Sequence, residues 1–386
     1  MAKGAAPWKR VKFGEVVRLN KETCKDPVSA GIERVIGLEH LEPGDLRVRS
    51  WGDVADGTTF TNRVRPGQVL FGKRRAYQRK IAVAAFDAIC SGDIYVLESA
   101  NPSKLLPELL PFICQTDSFF EHAVGTSAGS LSPRTNWSSL AEYKFALPPL
   151  EDQRRMAIVL RARRDLVDRY ADLAESVSAT RRALGKQFFI SHPEGSRSTV
   201  GSFGDVRNGT TPRRNVDAYW GGTIPWLPTG KVNERRITAA DEFITEKALQ
   251  ECSLGGLLPV GACLVAMIGE GITRGKVARL ELPACINQNF AAVVPGPNID
   301  GWYLFYYLES HYESLRRWSQ GTNQQALNCA LVRAFPICVP GLSRQREIVA
   351  ALREIDERGN LAAARLDEAR AQLRQFSANL LSRGQA

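Results

Sequence analysis

The sequence predicts an α/β or α+β protein built from two similar domains in tandem, each followed by a long helix. Three observations support this prediction: an internal repeat, short β-rich runs separated by glycine and proline, and two long stretches without proline. A chain of 386 residues is also long for a single hydrophobic core, so two domains of ordinary size are expected.

The repeat is clearest where "LPPLEDQRRMAIVL" at 147–160 aligns without a gap with "VPGLSRQREIVAAL" at 339–352. A Pro-x-Leu-x-x-Gln-Arg core recurs there after 192 residues. An internal repeat indicates how a chain is organised into domains, and this repeat indicates a duplicated unit whose two copies have diverged in sequence. Five further pairs of similar segments occur in the same order in both copies, at offsets of 189 to 196 residues. These pairs are "FGEVV" at 13–17 with "FGDVR" at 203–207, "VIGLEHL" at 35–41 with "IPWLPTG" at 224–230, "KIA" at 80–82 with "KVA" at 276–278, "AICSGDIYVL" at 88–97 with "ACINQNFAAV" at 284–293, and "GTSAGSL" at 125–131 with "GTNQQAL" at 321–327.

Each unit begins with a β-rich part, in runs such as "QVLFG" and "CLVAMIG", and helical spacing follows near 104–122 and 301–319. A long helix then follows, because no proline occurs from 151 to 192 or from 343 to the end. Either helix could reach about 60 Å at 1.5 Å per residue. The predicted domains are 1–150, the helix 151–192, 193–342 and the helix 343–386.

The two long stretches carry heptad seams in one frame, so we expect the helices to pack on each other and hold the two domains apart. The alternative is that each helix covers only its own domain. Arg163 and Arg181 interrupt the first seam, and Gly359 is an interior glycine that costs about 1 kcal/mol. The second seam runs Ile348, Leu352, Ile355, Gly359, Ala362, Leu366, Ala369, Leu373, Phe376 and Leu380, and the first runs Met156, Leu160, Val167, Tyr170, Ala174, Val177, Leu184 and Phe188.

The sequence offers little for catalysis, so we expect no enzyme, no metal and no bound cofactor. The four histidines lack metal spacing, and the eight cysteines form no Cys-x-x-Cys pair, which favours reduced core thiols. "GEGITRGKV" at 269–277 is similar to a phosphate loop, but its glycines are too far apart and Val277 replaces the required Ser/Thr. We interpret it as a glycine-rich turn between strands. Nucleotide-binding, methyltransferase and hydrolase signatures are absent from the sequence.

A formal charge of +10 suggests a polyanionic partner. No acidic residue lies between Asp56 and Asp87, where basic, aromatic and amide side chains mix in a way that suits a phosphate backbone. The alternative is a solvated basic loop. In the second copy, side chains able to read purine edges cluster in turns, although each turn could also be purely structural. The predicted DNA-binding residues are Lys73, Arg74, Arg75, Tyr77, Lys80, Arg213, Arg214, Lys231, Asn233, Arg274, Lys276, Gln324 and Gln325.

Three features together resemble the specificity subunits of type I restriction–modification systems. One is "FGDVRNGTTPRRNVDAYWGGTIPWLPTGKV" at 203–232, with its Gly-x-Thr-Pro turn and Ile-Pro-Trp-Leu strand. Another is "INQNFAAVVP" at 286–295 followed by the "GTNQQAL" turn, and the last is the Pro-x-Leu-x-x-Gln-Arg helix entrance, present twice. The resemblance covers nearly the whole chain, although the first copy has "CSGD" where the second has "INQN".

The resemblance implies two target-recognition domains, each reading half of a bipartite double-stranded DNA site, with an antiparallel helix pair setting the spacer. It also implies two methyltransferase subunits that carry S-adenosylmethionine, and a restriction–translocase subunit. On residues alone, a scaffold whose heads bind protein or RNA stays open, as does a cryptic nuclease or transferase. No apolar run reaches about 18 residues and no secretory signal is evident, so we expect a cytoplasmic protein that does not enter membranes.

Overall fold

The computed structural model describes residues 8–191, 193–269, 271–318 and 326–382. The chain divides into two compact units. The first unit comprises residues 1–174 together with 361–386, and the second comprises residues 175–360. The domain boundaries expected from the sequence stay a prediction.

The first unit contains two four-stranded sheets, ordered β2-β9-β6-β7 and β4-β3-β8-β5, and two strand pairs, β1-β12 and β10-β11. Its strands are β1 (Lys9–Lys12), β2 (Val17–Leu19), β3 (Arg34–Ile36), β4 (Gly52–Asp53), β5 (Asn62–Val64), β6 (Val69–Gly72), β7 (Ile81–Val83), β8 (Ala88–Cys90), β9 (Ile94–Ser99), β10 (Ser127–Ala128), β11 (Arg134–Thr135) and β12 (Lys144–Leu147). Its short helices are α1 (Phe13–Val16), α2 (Leu110–Cys114), α3 (Asp117–Gly125) and α4 (Trp137–Ala141), and the long helix α5 (Leu150–Lys186) follows.

The second unit contains a five-stranded sheet ordered β14-β21-β18-β19-β16, a three-stranded sheet ordered β17-β15-β20, and the pair β13-β22. Its strands are β13 (Ser196–Thr199), β14 (Gly204–Asn208), β15 (Trp220–Leu227), β16 (Arg236–Ile237), β17 (Glu242–Ile244), β18 (Cys263–Ala266), β19 (Val277–Leu280), β20 (Cys285–Ile286), β21 (Phe290–Pro295) and β22 (Pro336–Val339). Its short helices are α6 (Glu246–Glu251), α7 (Gly301–Ser310), α8 (Tyr312–Trp318) and α9 (Cys329–Arg333), and the long helix α10 (Leu342–Ser382) begins in this unit.

The strand orders confirm the duplication that the sequence predicts. The antiparallel run β2-β9-β6-β7 corresponds to β14-β21-β18-β19, and the run β4-β3-β8 corresponds to β17-β15-β20. In both copies the middle pair, β3 with β8 or β15 with β20, is parallel, while their other neighbours pair antiparallel. Gly269 and residues 271–276 lie between β18 and β19, so the interpretation of this segment as an inter-strand turn is confirmed for its described residues.

Five of the eight cysteines are buried in the cores, as expected for reduced packing residues, and all eight are free thiols. Burial raises the pKa of Cys90 to about 12 and that of Cys285 to about 11. Such thiols stay protonated and unreactive near neutral pH, because the thiolate is the reactive form.

Each long helix packs through its heptad seam, as predicted. In the first unit, seam residues of α5 and α10 share one hydrophobic cluster, and the guanidinium of Arg163 lies 4.3 Å from the ring centre of Phe376. In the second unit, Arg181 Nε donates to Asp356 Oδ1 at 2.8 Å. Both seam arginines therefore have defined partners. None of the described helices is long and apolar enough to cross a membrane.

The direction of the helix pair follows from contacts within the second unit. A Cβ on Gly359 would lie 3.4 Å from Val177, so the glycine lets α10 approach α5 closely. Because Arg181 lies further along α5 than Val177, while its partner Asp356 lies earlier on α10 than Gly359, the two helices run antiparallel.

The glutamine of the repeated motif is a buried anchor for the start of each long helix. Gln153 and Gln345 are both 0% exposed. Gln153 Nε2 donates to the carbonyls of Lys104 and Pro148, at 2.8 Å each, and its Oε1 accepts from the backbone of Leu106 at 2.9 Å.

Gln345 repeats this arrangement in the second unit. Its Nε2 donates to the carbonyls of Asn298 and Pro340, at 3.2 and 2.8 Å, and its Oε1 accepts from the backbone of Asp300 at 2.7 Å. The recurring motif therefore has an internal role in both copies, because each buried amide bonds to three backbone groups.

Ion pairs join the sheet part of the first unit to its two helix segments. Arg49 contacts Asp168 and Asp172 of α5 at 3.3 and 3.0 Å, and it also pairs with Asp45 at 2.7 Å. Arg370 of α10 lies 3.5 Å from Asp45, whose side chain is 2% exposed. We call this group of charges the first clasp.

A second clasp, in the second unit, likewise joins two arginines to carboxylates. Arg235 pairs with Asp356 of α10 at 2.9 Å and with Glu309 at 2.5 Å, and Arg181 of α5 also contacts Glu309. Tyr306 donates to Asp356 at 2.7 Å. Burial alone would lower the pKa of Arg235, but its bonds to Glu309 and Asp356 raise it, so the guanidinium stays charged inside the clasp.

The turns that join β6 to β7 and β18 to β19 share two left-handed backbone positions. The second unit has glycines there, Gly269 at φ +114° and Gly275 at φ +82°. The first unit has Arg75 at φ +54° and Arg79 at φ +55°. A left-handed conformation costs a non-glycine residue roughly 1–2 kcal/mol, so these arginines occupy strained positions.

We expect Gln153→Ala to lower the free energy of unfolding by about 3 kcal/mol, because three backbone groups lose the partner that the buried amide supplies. Urea denaturation followed by circular dichroism measures the change. Gln372→Ala is the matched control, since Gln372 is exposed on α10 and bonds only to Glu368 among the contacts described. Equal losses for both variants would contradict the anchoring role.

Arg75→Gly should raise the free energy of unfolding by roughly 1 kcal/mol, because glycine adopts the left-handed conformation without strain. Differential scanning calorimetry detects this as a higher transition temperature. The control is Arg10→Gly on β1, an exposed strand position without positive φ, where glycine should destabilise. If Arg75→Gly destabilises as much as Arg10→Gly does, the strain argument is wrong.

Candidate nucleic-acid interface

Polar loops of the second unit meet where the parallel strands β15 and β20 end. The backbone N–H of Asn287 donates to Leu227 at 3.1 Å, and that of Thr210 donates to Ile286 at 3.0 Å. A Cβ on Gly209 would lie 2.0 Å from the Ile286 carbonyl, so only glycine fits at the start of the Gly-x-Thr-Pro turn. We call the loops 209–212, 228–234 and 286–289 the second polar rim.

Side chains bond across the second polar rim and fix it. Asn287 Nδ2 donates to Thr229 Oγ1 at 2.8 Å, and Thr211 Oγ1 donates to Gln288 Oε1 at 2.7 Å. Asn287 is 7% exposed, whereas Gln288 is exposed. Asn287 is therefore structural, and Gln288 offers amide groups to a ligand. Gln288 is not among the residues predicted from the sequence, although it lies in the "INQN" turn at 286–289.

The structure separates the second unit's predicted residues into groups. Lys231 is buried and donates to Glu234 at 2.6 Å and Asp241 at 2.9 Å, and hydrogen bonds to these carboxylates raise its pKa. Its charge is thus neutralised internally. Lys276 Nζ donates to Asn233 Oδ1 at 2.7 Å, which brings these two predicted residues together at the second polar rim.

Three other predicted residues of this unit have different contacts. Arg213 is exposed, and its carbonyl accepts from Trp220 Nε1 at 3.2 Å. Arg214 lies 4.0 Å from the ring centre of Trp220 and pairs with Glu242. The Arg274 carbonyl accepts from Arg316 at 3.3 Å. Gln324 and Gln325 lie outside the described residues.

The first unit has an equivalent loop scaffold at the ends of β3 and β8. The backbone N–H of Ser91 donates to Ile36 at 2.9 Å, as Asn287 donates to Leu227. The Ser91 hydroxyl accepts from the backbone of Asp93 at 3.2 Å, as the Asn287 amide accepts from Asn289 at 3.1 Å. "CSGD" and "INQN" therefore form the same turn with different side chains. We call the loops 37–41 and 91–93 the first polar rim.

Carboxylates from elsewhere in the fold neutralise much of the basic run. Asp93 accepts from Arg74 at 3.2 Å and from Arg134 at 2.9 Å. Burial alone would raise the pKa of Asp93, but these two arginines hold it below its usual value. Further pairs in this region join Arg63 and Arg65 to Glu22, and Arg79 to Asp117.

The remaining predicted residues of the first unit differ in their exposure to solvent and in their contacts within the fold. The Lys80 ammonium donates to the carbonyl of Leu38 at 2.7 Å, and the Lys73 ammonium lies 4.6 Å from the ring centre of Tyr95. Arg75 is exposed and donates to Ser132 at 3.3 Å, and Tyr77 is 57% exposed. Arg75 and Tyr77 are thus the most available of the five predicted residues here.

The described part of the chain holds no group of three or more His, Cys, Asp or Glu side chains placed to bind a metal ion. What the two polar rims offer is hydrogen-bonding amides, hydroxyls and cations. Such groups suit the recognition of base edges and phosphates.

Comparisons with known proteins agree with this chemistry. Residues 195–370 match the family model for the type I restriction modification DNA specificity domain. The specificity subunit of the Escherichia coli enzyme EcoR124I/EcoR124II is 26% identical over 234 residues, covering 57% of each chain. The specificity subunit of MjaIX from Methanocaldococcus jannaschii is 30% identical over 163 residues, covering 41% of this chain and 37% of that subunit. The chain thus spans little more than half of the first relative and less of the second.

The fold is also known from solved structures. A chain from work on complex assembly and conformational transition of the type I R-M system superimposes with a TM-score of 0.58 at 20% identity. The match covers 99% of this chain and 98% of that one, so it includes both copies of the repeat and both long helices. Over residues 195–370 the chain is thus similar to the type I restriction modification DNA specificity domain, and its tandem fold is that of the solved chain.

Proposed function

We propose that this chain recognises a bipartite sequence in double-stranded DNA, with each unit reading one half-site, and that it catalyses no reaction itself. The observation that supports this best is the equivalence of the two polar rims. They share backbone hydrogen bonds but display different side chains, which is the arrangement needed to read two different short sequences with one scaffold.

The exposed groups differ between the rims in a way that fits different half-sites. The second rim presents Gln288, together with the Asn233–Lys276 pair. The first rim presents Asp93 held by two arginines, next to the exposed Arg75. Amides pair with adenine edges and arginines with guanine edges in the major groove, so the two rims favour different bases.

We further propose that the antiparallel helices α5 and α10 set the distance between the half-sites and bind two methyltransferase subunits. Those subunits would carry S-adenosylmethionine and methylate adenine, and a restriction–translocase subunit would join them in the cytoplasm. The exposed apolar side chains Ile158, Leu166 and Leu173 on α5 support a role of this helix in assembly. The related chain studied for assembly of the type I R-M system supports the same view.

The first test is adenine-methylation mapping of DNA from cells that carry this chain together with its methyltransferase, compared with cells that carry the methyltransferase alone. We expect a new motif of two short specified blocks around a fixed unspecified spacer. A chain that forms a stable complex with an active methyltransferase, yet adds no methylated motif, would instead be a scaffold.

A second test separates an exposed cation from a neutralised one. Arg213→Ala should lower the slope of log affinity against log salt by about 0.9, because one phosphate contact is lost. Lys231→Met should leave that slope unchanged, since Glu234 and Asp241 already neutralise this ammonium. Fluorescence anisotropy with the mapped duplex between 50 and 200 mM salt measures both slopes. Equal slopes for Arg213→Ala and the unmodified chain would remove Arg213 from the interface.

A further inference from the structure

The β6–β7 and β18–β19 turns each carry an exposed apolar side chain near their tip. Tyr77 is 57% exposed at the centre of a one-turn 3₁₀ helix, Ala76–Gln78. Ile272 is 69% exposed in the turn of the second unit. Both turns occupy the same place in the repeat, since "KIA" follows the first and "KVA" follows the second. Single exposed apolar residues are ordinary, but two at equivalent positions require an explanation.

The turn that carries Tyr77 is held at both ends. The backbone N–H of Arg75 donates to Pro133 at 2.7 Å. The guanidinium of Arg79 donates to Asp117 at 2.5 Å, and it lies 4.6 Å from the ring centre of Phe120. Both arginines occupy left-handed positions, so these contacts hold a strained turn in place.

The turn that carries Ile272 is held by the corresponding helix of the second unit. Tyr312 donates its hydroxyl to the Ile272 carbonyl at 2.8 Å, and Arg316 donates to the Arg274 carbonyl at 3.3 Å. Tyr312 is the first residue of α8, and Asp117 is the first residue of α3. The two copies therefore support the same turn from the same helix end with different bonds.

Each turn is also tied to its polar rim. The backbone N–H of Lys73 donates to Asp93 at 3.0 Å, and that of Met267 donates to Asn289 at 2.9 Å. These bonds join the base of each turn directly to the rim that carries groups suited to DNA. Basic side chains, Arg75 in one turn and Lys276 in the other, flank the tips.

We propose that Tyr77 and Ile272 are wedges, each inserted between two stacked base pairs of its half-site. This inference rests on the proposed DNA-recognition function and extends it. Apolar side chains inserted at a base step unstack it and kink the duplex, and an aromatic ring can stack on the exposed base. The wedge gives specificity at a base step without a hydrogen bond, because flexible steps unstack at lower cost than stiff ones.

The test uses the full-length chain in complex with its methyltransferase and the mapped duplex, with 2-aminopurine placed at each position of both half-sites in turn. We expect a several-fold rise in fluorescence at one step in each half-site, away from the methylated adenine. Tyr77→Ala should abolish the rise in one half-site and Ile272→Ala in the other. Each should weaken binding about tenfold, with an unchanged salt slope because no charge is lost.

Control variants separate a wedge from general damage. Tyr77→Phe should keep the signal because the ring is retained. Val28→Ala and Val260→Ala remove exposed apolar side chains elsewhere in each unit and should change nothing. Normal binding without a fluorescence rise, or with a rise that survives both alanine variants, overturns the wedges and leaves DNA recognition intact. If the complex shows no affinity for duplex DNA at any salt concentration, the proposed function fails as well.

Discussion

The three hydrogen bonds of a buried glutamine amide fix where each long helix begins, and the rest of each unit depends on that point. Only two residues separate β12 from α5, and only two separate β22 from α10. The direction of the helix therefore depends closely on the position of its first residues. Gln153 and Gln345 bridge the helix start to the segment that precedes α2 or α7. Because the first residues of each long helix are fixed, the heptad seam of α5 can pack against that of α10. The most visible identity between the two copies therefore preserves the architecture of each unit.

Contacts within the fold also determine which charges of the first unit's basic run are paired. The basic run of the first unit contains no acidic residue, but in the fold Glu22, Asp93 and Asp117 form ion pairs with its arginines. Four of its seven cations consequently pair with a carboxylate, although none of the seven is buried. The net positive charge still favours a polyanion, and among the predicted residues the exposed Arg75 and Arg213 are available to contact one.

Patterns that repeat along the chain were sufficient to predict the architecture. The gapless alignment around Gln153, the heptad seams and the order of the β-rich runs indicated two copies and two long helices, and the fold has both. Individual site residues were harder, because charge in a sequence does not show its partner. The sequence "PTGKVNERR" predicts that Lys231 contacts DNA. In the fold, Asp241, ten residues later, forms an ion pair with the Lys231 ammonium. The chemistry of Gln288 was visible, whereas its exposure next to the buried Asn287 depends on tertiary packing.

The two clasps have a consequence for how such a chain can be reassembled. In each unit the helix that follows the sheet part supplies aspartate, the other helix supplies arginine, and the sheet part supplies one partner for each. A sheet part moved from one position in the repeat to the other would therefore meet the charges it already accommodates. Such an exchange would create no unpaired buried charge, a defect that typically costs several kcal/mol. The duplication thus gives either sheet part the same arrangement of helix charges to pack against.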